Sequence, residues 1–251
     1  MPPEPRLVPR FPAEPPQELL PYGRWADTLK GELLAACLRI EASEGLEVGD
    51  LGEISWYPDR TWHGRTYVPA TAMTTTGLEV FGYVSFVRSD DGDPTGFHSS
   101  ADATDETADA NPDWQIDLCD EVVGSWRGEE GKIAAMTLVW GRPLVPGAVI
   151  ATAELCDLCV DQCVMQDERF TLIAPDDYRG DTLEARVFNK RGDELARESL
   201  YADDDGDEAD EESSVPAAAA LGPEEIDLPG GPAAGRSRVA GDADPFAVDG
   251  P

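Results

Sequence analysis

Lysine and histidine are scarce in this chain of 251 residues, which contains only Lys30, Lys132 and Lys190 and two histidines. With arginine included, 19 basic residues oppose 51 acidic ones, and the formal net charge is −32 at pH 7. A field of this sign repels phosphate backbones and anionic lipid headgroups. The composition therefore argues against naked nucleic acid and membrane surfaces as partners.

Long apolar runs are also absent. No stretch approaches the roughly 18 apolar residues that indicate a membrane-spanning helix, and the N-terminal segment lacks the apolar run of a signal peptide. The five cysteines are an odd number, and in a reducing compartment their default state is the free thiol. The sequence therefore predicts a soluble, cytoplasmic protein.

Motifs of common enzyme classes are missing. No serine occupies a G-x-S-x-G pattern, and no H-E-x-x-H pattern occurs. The segment 128–133, GEEGKI, lacks both the first glycine and the hydroxyl residue of a phosphate-binding loop. These absences favour a non-enzymatic protein, and no cofactor is expected.

The acidic residues are concentrated in two segments. Residues 90–113 hold eight carboxylates and no Lys or Arg, and residues 203–212 hold eight more. Such blocks repel themselves and bury little apolar surface, so they are typical of disordered chain. We therefore predict a disordered Pro-rich arm at 1–16, a single folded domain at 17–201 with a disordered acidic loop at 90–113, and a disordered acidic, Ala-, Gly- and Pro-rich tail at 202–251.

The folded segment begins with a helical pattern and continues with strand patterns. Trp25, Leu29, Leu33 and Cys37 recur at every fourth position, which predicts a helix over 16–43 that ends before Gly45. Nine short segments rich in β-branched and aromatic residues follow. They are Leu51–Tyr57, Thr66–Ala72, Leu78–Arg88, Trp114–Trp126, Lys132–Trp140, Gly147–Leu155, Arg169–Ala174, Leu183–Asn189 and Glu194–Tyr201. The pattern predicts an α+β fold, with one N-terminal helix followed by a mainly antiparallel β domain.

One turn is specified locally. Lys190-Arg191-Gly192-Asp193 separates the last two predicted strands, and its glycine can adopt the positive φ that a hairpin turn requires. We therefore expect these two strands to form a β-hairpin.

Cys156, Cys159 and Cys163 form a C-x2-C-x3-C pattern. Thiolates at this spacing can bind zinc or an iron–sulfur cluster, with Cys119, His63 or His98 as a fourth ligand. The same spacing also fits one stripe of a buried helix, and Cys159 and Cys163 also fit one face of a strand. Neighbouring carboxylates disfavour the thiolate. We therefore expect packing residues, and no metal.

The segment 56–67 is the densest run of aromatic and cationic side chains. Flat aromatic rings beside guanidinium groups suit the recognition of planar or anionic groups. The predicted binding residues are Trp56, Tyr57, Arg60, Trp62, His63, Arg65 and Tyr67. In the alternative interpretation, Trp56 and Tyr67 belong to sheets while Arg60 and Arg65 pair with surface acid.

These observations favour a cytoplasmic binding or adaptor protein that uses this aromatic–Arg surface. Its partner would be an unidentified protein or a small anionic ligand, and the acidic tail would improve solubility or screen the surface. One alternative is a metal- or thiol-dependent enzyme or redox protein that uses the 156–163 cysteines with Cys119 or His63. Another is an acidic decoy or chaperone for a basic partner.

The domain boundaries generate a first prediction. The segments 1–16 and 202–251 lack any periodic apolar face, and ordering them would cost about 1–2 kcal/mol per residue with little return. A chain shortened to 17–201 should therefore unfold at a midpoint within a few degrees of the full chain, as measured by circular dichroism. Loss of a cooperative transition on shortening would contradict the boundaries.

Overall fold

The computed structural model describes residues 23–89, 92–127, 133–176 and 182–200. In these ranges a 3₁₀ turn, Gly23–Trp25, precedes one helix, α1 (Ala26–Glu44), and twelve strands follow. The strands are β1 (Ser55–Trp56), β2 (Arg60–Trp62), β3 (Arg65–Met73), β4 (Glu79–Arg88), β5 (Pro94–Thr104), β6 (Ile116–Arg127), β7 (Ile133–Pro143), β8 (Ile150–Leu155), β9 (Leu158–Val164), β10 (Phe170–Asp176), β11 (Leu183–Phe188) and β12 (Glu194–Ser199). The predicted arm and tail lie outside the described residues.

Helix α1 buries the apolar stripe that the sequence predicted. Leu29, Leu33, Cys37 and Ile40 are each at most 5% exposed. The helix ends at Gly45, whose φ of 68° is left-handed and whose N–H donates to the Glu41 carbonyl at 3.1 Å. The predicted helix is thus confirmed from Ala26 onward.

The strands form three sheets, and every pairing among the described strands is antiparallel. The first sheet has the order β1-β3-β4-β5, with β2 also paired to β3; the second has the order β10-β7-β6. The third has the order β12-β11-β8-β9. This arrangement confirms the predicted α+β class with its N-terminal helix.

The apolar core lies in three layers between α1 and the three sheets. Helix α1 packs on Val68, Ala70, Val84 and Phe86 of the first sheet. The opposite face of that sheet packs against the second sheet around the fully buried Trp140. A further core lies between the second and third sheets. Within the described ranges, no helix combines the length and apolar character that crossing a bilayer requires.

The predicted disordered acidic loop is wrong for residues 94–104, which form a regular strand. Pro94–Thr104 forms β5, which pairs with β4 along its length. Phe97, Ser99, Ala101 and Ala103 alternate on the helix side, and Ser99 and Ala103 are each 5% exposed. Counting carboxylates over a window hid this period-two pattern, which is the property that specifies a strand. Residues 90 and 91 lie outside the described ranges.

All nine predicted strands overlap an observed strand, and the predicted hairpin at 190–193 is confirmed. Gly192 has a φ of 85° and donates its N–H to the Asn189 carbonyl at 3.1 Å, between β11 and β12. The prediction omitted β2, β5 and β9. β2 is only three residues long. In β9, a bulge leaves the consecutive residues Val160 and Asp161 both buried, so the strand lacks the regular alternation that marks a strand in a sequence.

A buried ion pair connects the first sheet to the third. The Arg60 guanidinium on β2 pairs with Asp161 on β9, and the two side chains are 4% and 5% exposed. Asp161 also accepts hydrogen bonds from the backbone N–H groups of Gln162 at 2.8 Å and Ile173 at 2.9 Å. Burial raises the pKa of Asp161, while Arg60 and the two N–H groups oppose that rise. One carboxylate therefore connects β2, β9 and β10.

This ion pair gives a second prediction. Asp161→Asn or Arg60→Met should each lower the free energy of unfolding by about 3–5 kcal/mol, because each leaves a buried charge without its partner. The double variant removes both charges and retains an amide acceptor, so it should recover much of that loss. Equilibrium urea unfolding measures all three.

The matched control is Arg197→Ala, which removes a half-exposed arginine paired with Glu194 and should leave the free energy of unfolding nearly unchanged. Single variants at Arg60 or Asp161 that cost no more than this control would show that the buried pair is not important for stability.

Candidate functional site

The seven predicted binding residues do not form one exposed surface. Tyr57, Arg60 and Tyr67 are 3–4% exposed. Trp56, Trp62 and Arg65 are half-buried, and His63 is exposed. Burial therefore excludes Tyr57, Arg60 and Tyr67 from an exposed aromatic–Arg surface. A binding role for Trp56, Trp62, His63 and Arg65 stays a prediction.

The reason is a tight hairpin that the sequence prediction treated as a connection. Arg60 pairs with Tyr67, and Trp62 pairs with Arg65, across a two-residue turn formed by His63 and Gly64. Both turn residues have positive φ, 50° and 74°, as a tight β-hairpin turn requires. Alternate residues of the hairpin consequently point into the core.

The alternative interpretation of this segment is correct for the aromatic residues. Trp56 lies on β1 and Tyr67 on β3. It is wrong for the arginines, because Arg60 pairs with a buried acid and Arg65 donates to Ser85 Oγ at 3.2 Å and to the Gly96 carbonyl at 3.0 Å. Among these residues, only Tyr57 lines the cleft described next.

A cleft of about 330 Å³ opens where the first sheet meets the second; we call it the Tyr57 cleft. Its lining residues come from β1 and the residues beside it, from β3 and β4, from the segment after β5, from β6 and β7, and from the residue before β10. They are Glu53, Ser55, Tyr57, Thr71, Ala72, Met73, Glu79, Thr107, Ala108, Asp109, Asp117, Arg142 and Arg169.

Two arginines line the Tyr57 cleft. The Arg169 guanidinium lies over the Tyr57 ring, 5.7 Å from its centroid, and donates to the Trp56 carbonyl at 3.3 Å and Ser55 Oγ at 3.4 Å. Arg142 donates from Nε to Asp117 Oδ2 at 3.1 Å. The Arg142 side chain is 50% exposed, whereas that of Asp117 is 6% exposed. Asp117 therefore anchors a cation that still reaches solvent.

Arg142 retains hydrogen-bonding capacity on the cleft side. Within the described part of the chain, neither of its terminal nitrogens donates a hydrogen bond. A guanidinium held through Nε presents its two terminal NH₂ groups as a fork that fits a carboxylate or a phosphate. Burial raises the pKa of Tyr57 well above its usual value, so its hydroxyl stays protonated beside this fork.

The cleft also carries negative charge. Glu53 and Asp109 are exposed, and neither makes a hydrogen bond or ion pair with another described residue. Glu79 and Asp117 lie alongside Arg142, and Asp117 is its ion-pair partner. The cleft therefore presents cations and carboxylates within one small volume.

A second polar group lies where β5 faces β6; we call its residues Tyr83, His98, Ser100 and Glu121 the Glu121 cluster. Ser100 Oγ donates to Glu121 Oε1 at 3.2 Å, and the rings of Tyr83 and His98 are 6.2 Å apart. Burial raises the pKa of Glu121 to about 7, and the charge of Asp102 adds to the rise. Burial lowers the pKa of His98, as do the nearby arginines.

This cluster could not be predicted once residues 90–113 were interpreted as a disordered loop, because that segment contains His98, Ser100 and the nearby Asp102. His98, Ser100 and Asp102 alternate along β5 and share the face opposite the helix. That alternation was the available sequence signal. Next to Glu121, burial and the charges of Asp176 and Glu121 raise the pKa of Asp120 to about 7.

The cysteines of the C-x2-C-x3-C pattern are dispersed. Cys156 lies in the turn before β9, where its φ is 53°. Cys159 pairs with Glu154 and Cys163 with Ala151, across a register shift. Because Ala151 and Glu154 lie on opposite faces of β8, Cys159 and Cys163 do as well.

Both packing interpretations of this pattern are therefore wrong in detail. The segment is a strand with a bulge, not a helix, and Cys156 and Cys159 are exposed. Cys163 alone packs against the core, and burial raises its pKa to about 11. Cys119 is buried on β6 in a different layer. Across the described ranges, no group of three or more His, Cys, Asp and Glu residues could hold a metal ion.

Comparison with known proteins adds no relative. A scan against protein families, a search of curated proteins and a search of solved structures each found no match. Function must therefore be inferred from the geometry of the two polar sites.

The Glu121 cluster gives a third prediction. A carboxyl group whose pKa is raised by folding stabilises the native state when protonated, and this contribution is lost as pH rises. For Glu121 the loss should occur between about pH 4.5 and pH 7. Glu121→Gln keeps an acceptor for Ser100 without the charge. Relative to the unchanged chain, its free energy of unfolding should rise by about 2–3 kcal/mol between pH 4 and pH 8.

Urea unfolding across this pH range measures the difference. The control is Asp105→Asn, which removes an exposed carboxylate from the turn after β5. A Glu121→Gln curve parallel to that of the unchanged chain would mean that Glu121 ionises as readily in the folded state as in the unfolded one.

Proposed function

We propose that this chain is a binding protein whose Tyr57 cleft holds a small polar ligand with at least one anionic group. The observation that carries the proposal is the arrangement of Arg142, which Asp117 holds through Nε while the side chain stays 50% exposed and its terminal nitrogens donate to no described residue. A positioned guanidinium with an unused fork is a common device for carboxylate and phosphate recognition.

The surroundings of Arg142 support this role. Arg169 and the Tyr57 ring form a second cationic and aromatic wall, and the hydroxyl groups of Ser55, Tyr57 and Thr71 line the same volume. Small-molecule sites combine a concave shape with a few convergent polar groups in this way. The proposed site keeps the aromatic–Arg chemistry expected from the sequence but assigns it mainly to Arg142 and Arg169.

The alternatives receive less support. A metal- or thiol-dependent activity would need the cysteines to converge, whereas Cys119, Cys159 and Cys163 lie on different faces or layers. A role as an acidic decoy for a basic partner is favoured by the net charge of −32, but by no particular contact. The cytoplasmic location belongs to the same proposal, because none of the five cysteines forms a disulfide bond.

The test is an NMR titration of the full chain with inorganic phosphate, acetate and methylammonium as separate probes. Phosphate or acetate should shift the backbone amides of the cleft residues, including those of Ser55, Thr71 and Asp117. Arg142→Gln should abolish these shifts, because it removes the fork.

The matched control is Arg127→Gln, which removes an exposed arginine at the end of β6, outside the cleft lining. It should leave the titration unchanged. If no probe shifts the cleft amides, or if Arg127→Gln and Arg142→Gln reduce the shifts equally, the cleft is not the proposed site.

A further inference from the structure

We propose that the ligand of the Tyr57 cleft is a small zwitterion, with an anionic group for Arg142 and an ammonium group for Glu53 and Asp109. This inference rests on the proposed function and specifies its ligand class. It combines the two signs of charge that the cleft lining contains.

Two carboxylates in the cleft lining are available to bind a cationic group of the ligand. Glu53 and Asp109 make no hydrogen bond or ion pair with any other residue that the structure describes, although both line the cleft. Asp117, by contrast, is engaged with Arg142. Two uncommitted carboxylates facing one small volume provide acceptors for an ammonium group, which has only donors.

The net charge of the whole chain also favours a ligand that carries a cationic group. A net charge of −32 creates a potential that opposes the approach of a purely anionic ligand. An ammonium group on the same ligand cancels that repulsion at long range, while the anionic group still pairs with Arg142 at short range. A ligand with both groups can therefore approach the acidic protein without net repulsion and still pair with Arg142.

The volume sets the scale of the ligand. A cleft of about 330 Å³ lies at the lower end of the range of small-molecule sites. It is large enough for a molecule the size of an amino acid and too small for a folded partner. The hydroxyl groups and the Tyr57 ring can pack against the short carbon chain that joins the two charges.

The experiment is calorimetric titration of the full chain with three matched probes, 5-aminovalerate, valerate and pentylamine. The first carries both charges, and the others carry one each on a chain of the same length. We expect 5-aminovalerate to bind about tenfold or more tightly than either, because each extra hydrogen bond to a charged group contributes at least that factor. Titrations with β-alanine, 4-aminobutyrate and 6-aminohexanoate identify the best charge separation.

Variants then assign each end of the probe. The double variant Glu53→Gln with Asp109→Asn should lower the affinity for the best ω-amino acid to that for valerate. Arg142→Gln should lower it to that for pentylamine. Glu53 and Asp109 are exposed, so the double variant should keep the unfolding midpoint of the unchanged chain.

Two results would overturn the inference. The first is that valerate or pentylamine binds as tightly as every ω-amino acid. The same conclusion follows if Glu53→Gln with Asp109→Asn leaves the affinity for the best ω-amino acid unchanged. If acetate or phosphate still shifts the cleft amides in that case, the proposed function stands and only the zwitterion is rejected. In the second, no probe of any kind reaches the cleft, and both proposals fail.

Discussion

The buried pair of Arg60 and Asp161 is the constraint on which the rest of the arrangement depends. It lies between two sheets, and its carboxylate also accepts the N–H of Ile173 on β10. Tyr57 is three residues before Arg60, and Arg169 is four residues before Ile173. The cation–π contact at the cleft therefore joins two chain segments whose relative position this pair sets. Asp161 is 101 residues after Arg60 in sequence. Removing the charge of Asp161 would therefore disturb both the core and the candidate site.

Local patterns in the sequence predicted much of the fold. The four-residue recurrence in α1 and the Gly192 turn depend on neighbouring residues, and both appear in the structure as predicted. β5 was missed because polar residues dominate its composition, although alternation still directs Ser99 inward. β9 was missed because a bulge interrupts its alternation, so that the neighbours Val160 and Asp161 are both buried. An antiparallel strand needs only one buried apolar face, and the face exposed to solvent can consist entirely of polar residues.

The candidate site could not be found from the sequence, for reasons that are equally physical. Its two arginines lie on β7 and immediately before β10, far in sequence from Tyr57, and only sheet packing brings them together. The aromatic–Arg density of residues 56–67 was real but described a hairpin with an inward face. Residue types at a site can be read from a chain, whereas their convergence depends on a topology that this sequence does not specify locally.

The long sequence separation of Arg60 and Asp161 also has a consequence for biosynthesis. Contacts between distant residues slow folding, because the intervening chain must be ordered before they form. At about 5–20 residues per second, the ribosome adds the 101 residues between the two partners in roughly 5–20 seconds. During that interval the Arg60 guanidinium lacks Asp161, the carboxylate with which it is buried in the folded protein. The Arg60 contact between the first and third sheets can therefore form only after β9 has left the ribosome, later in synthesis than β6 and β7, which cover the aromatic face of the first sheet.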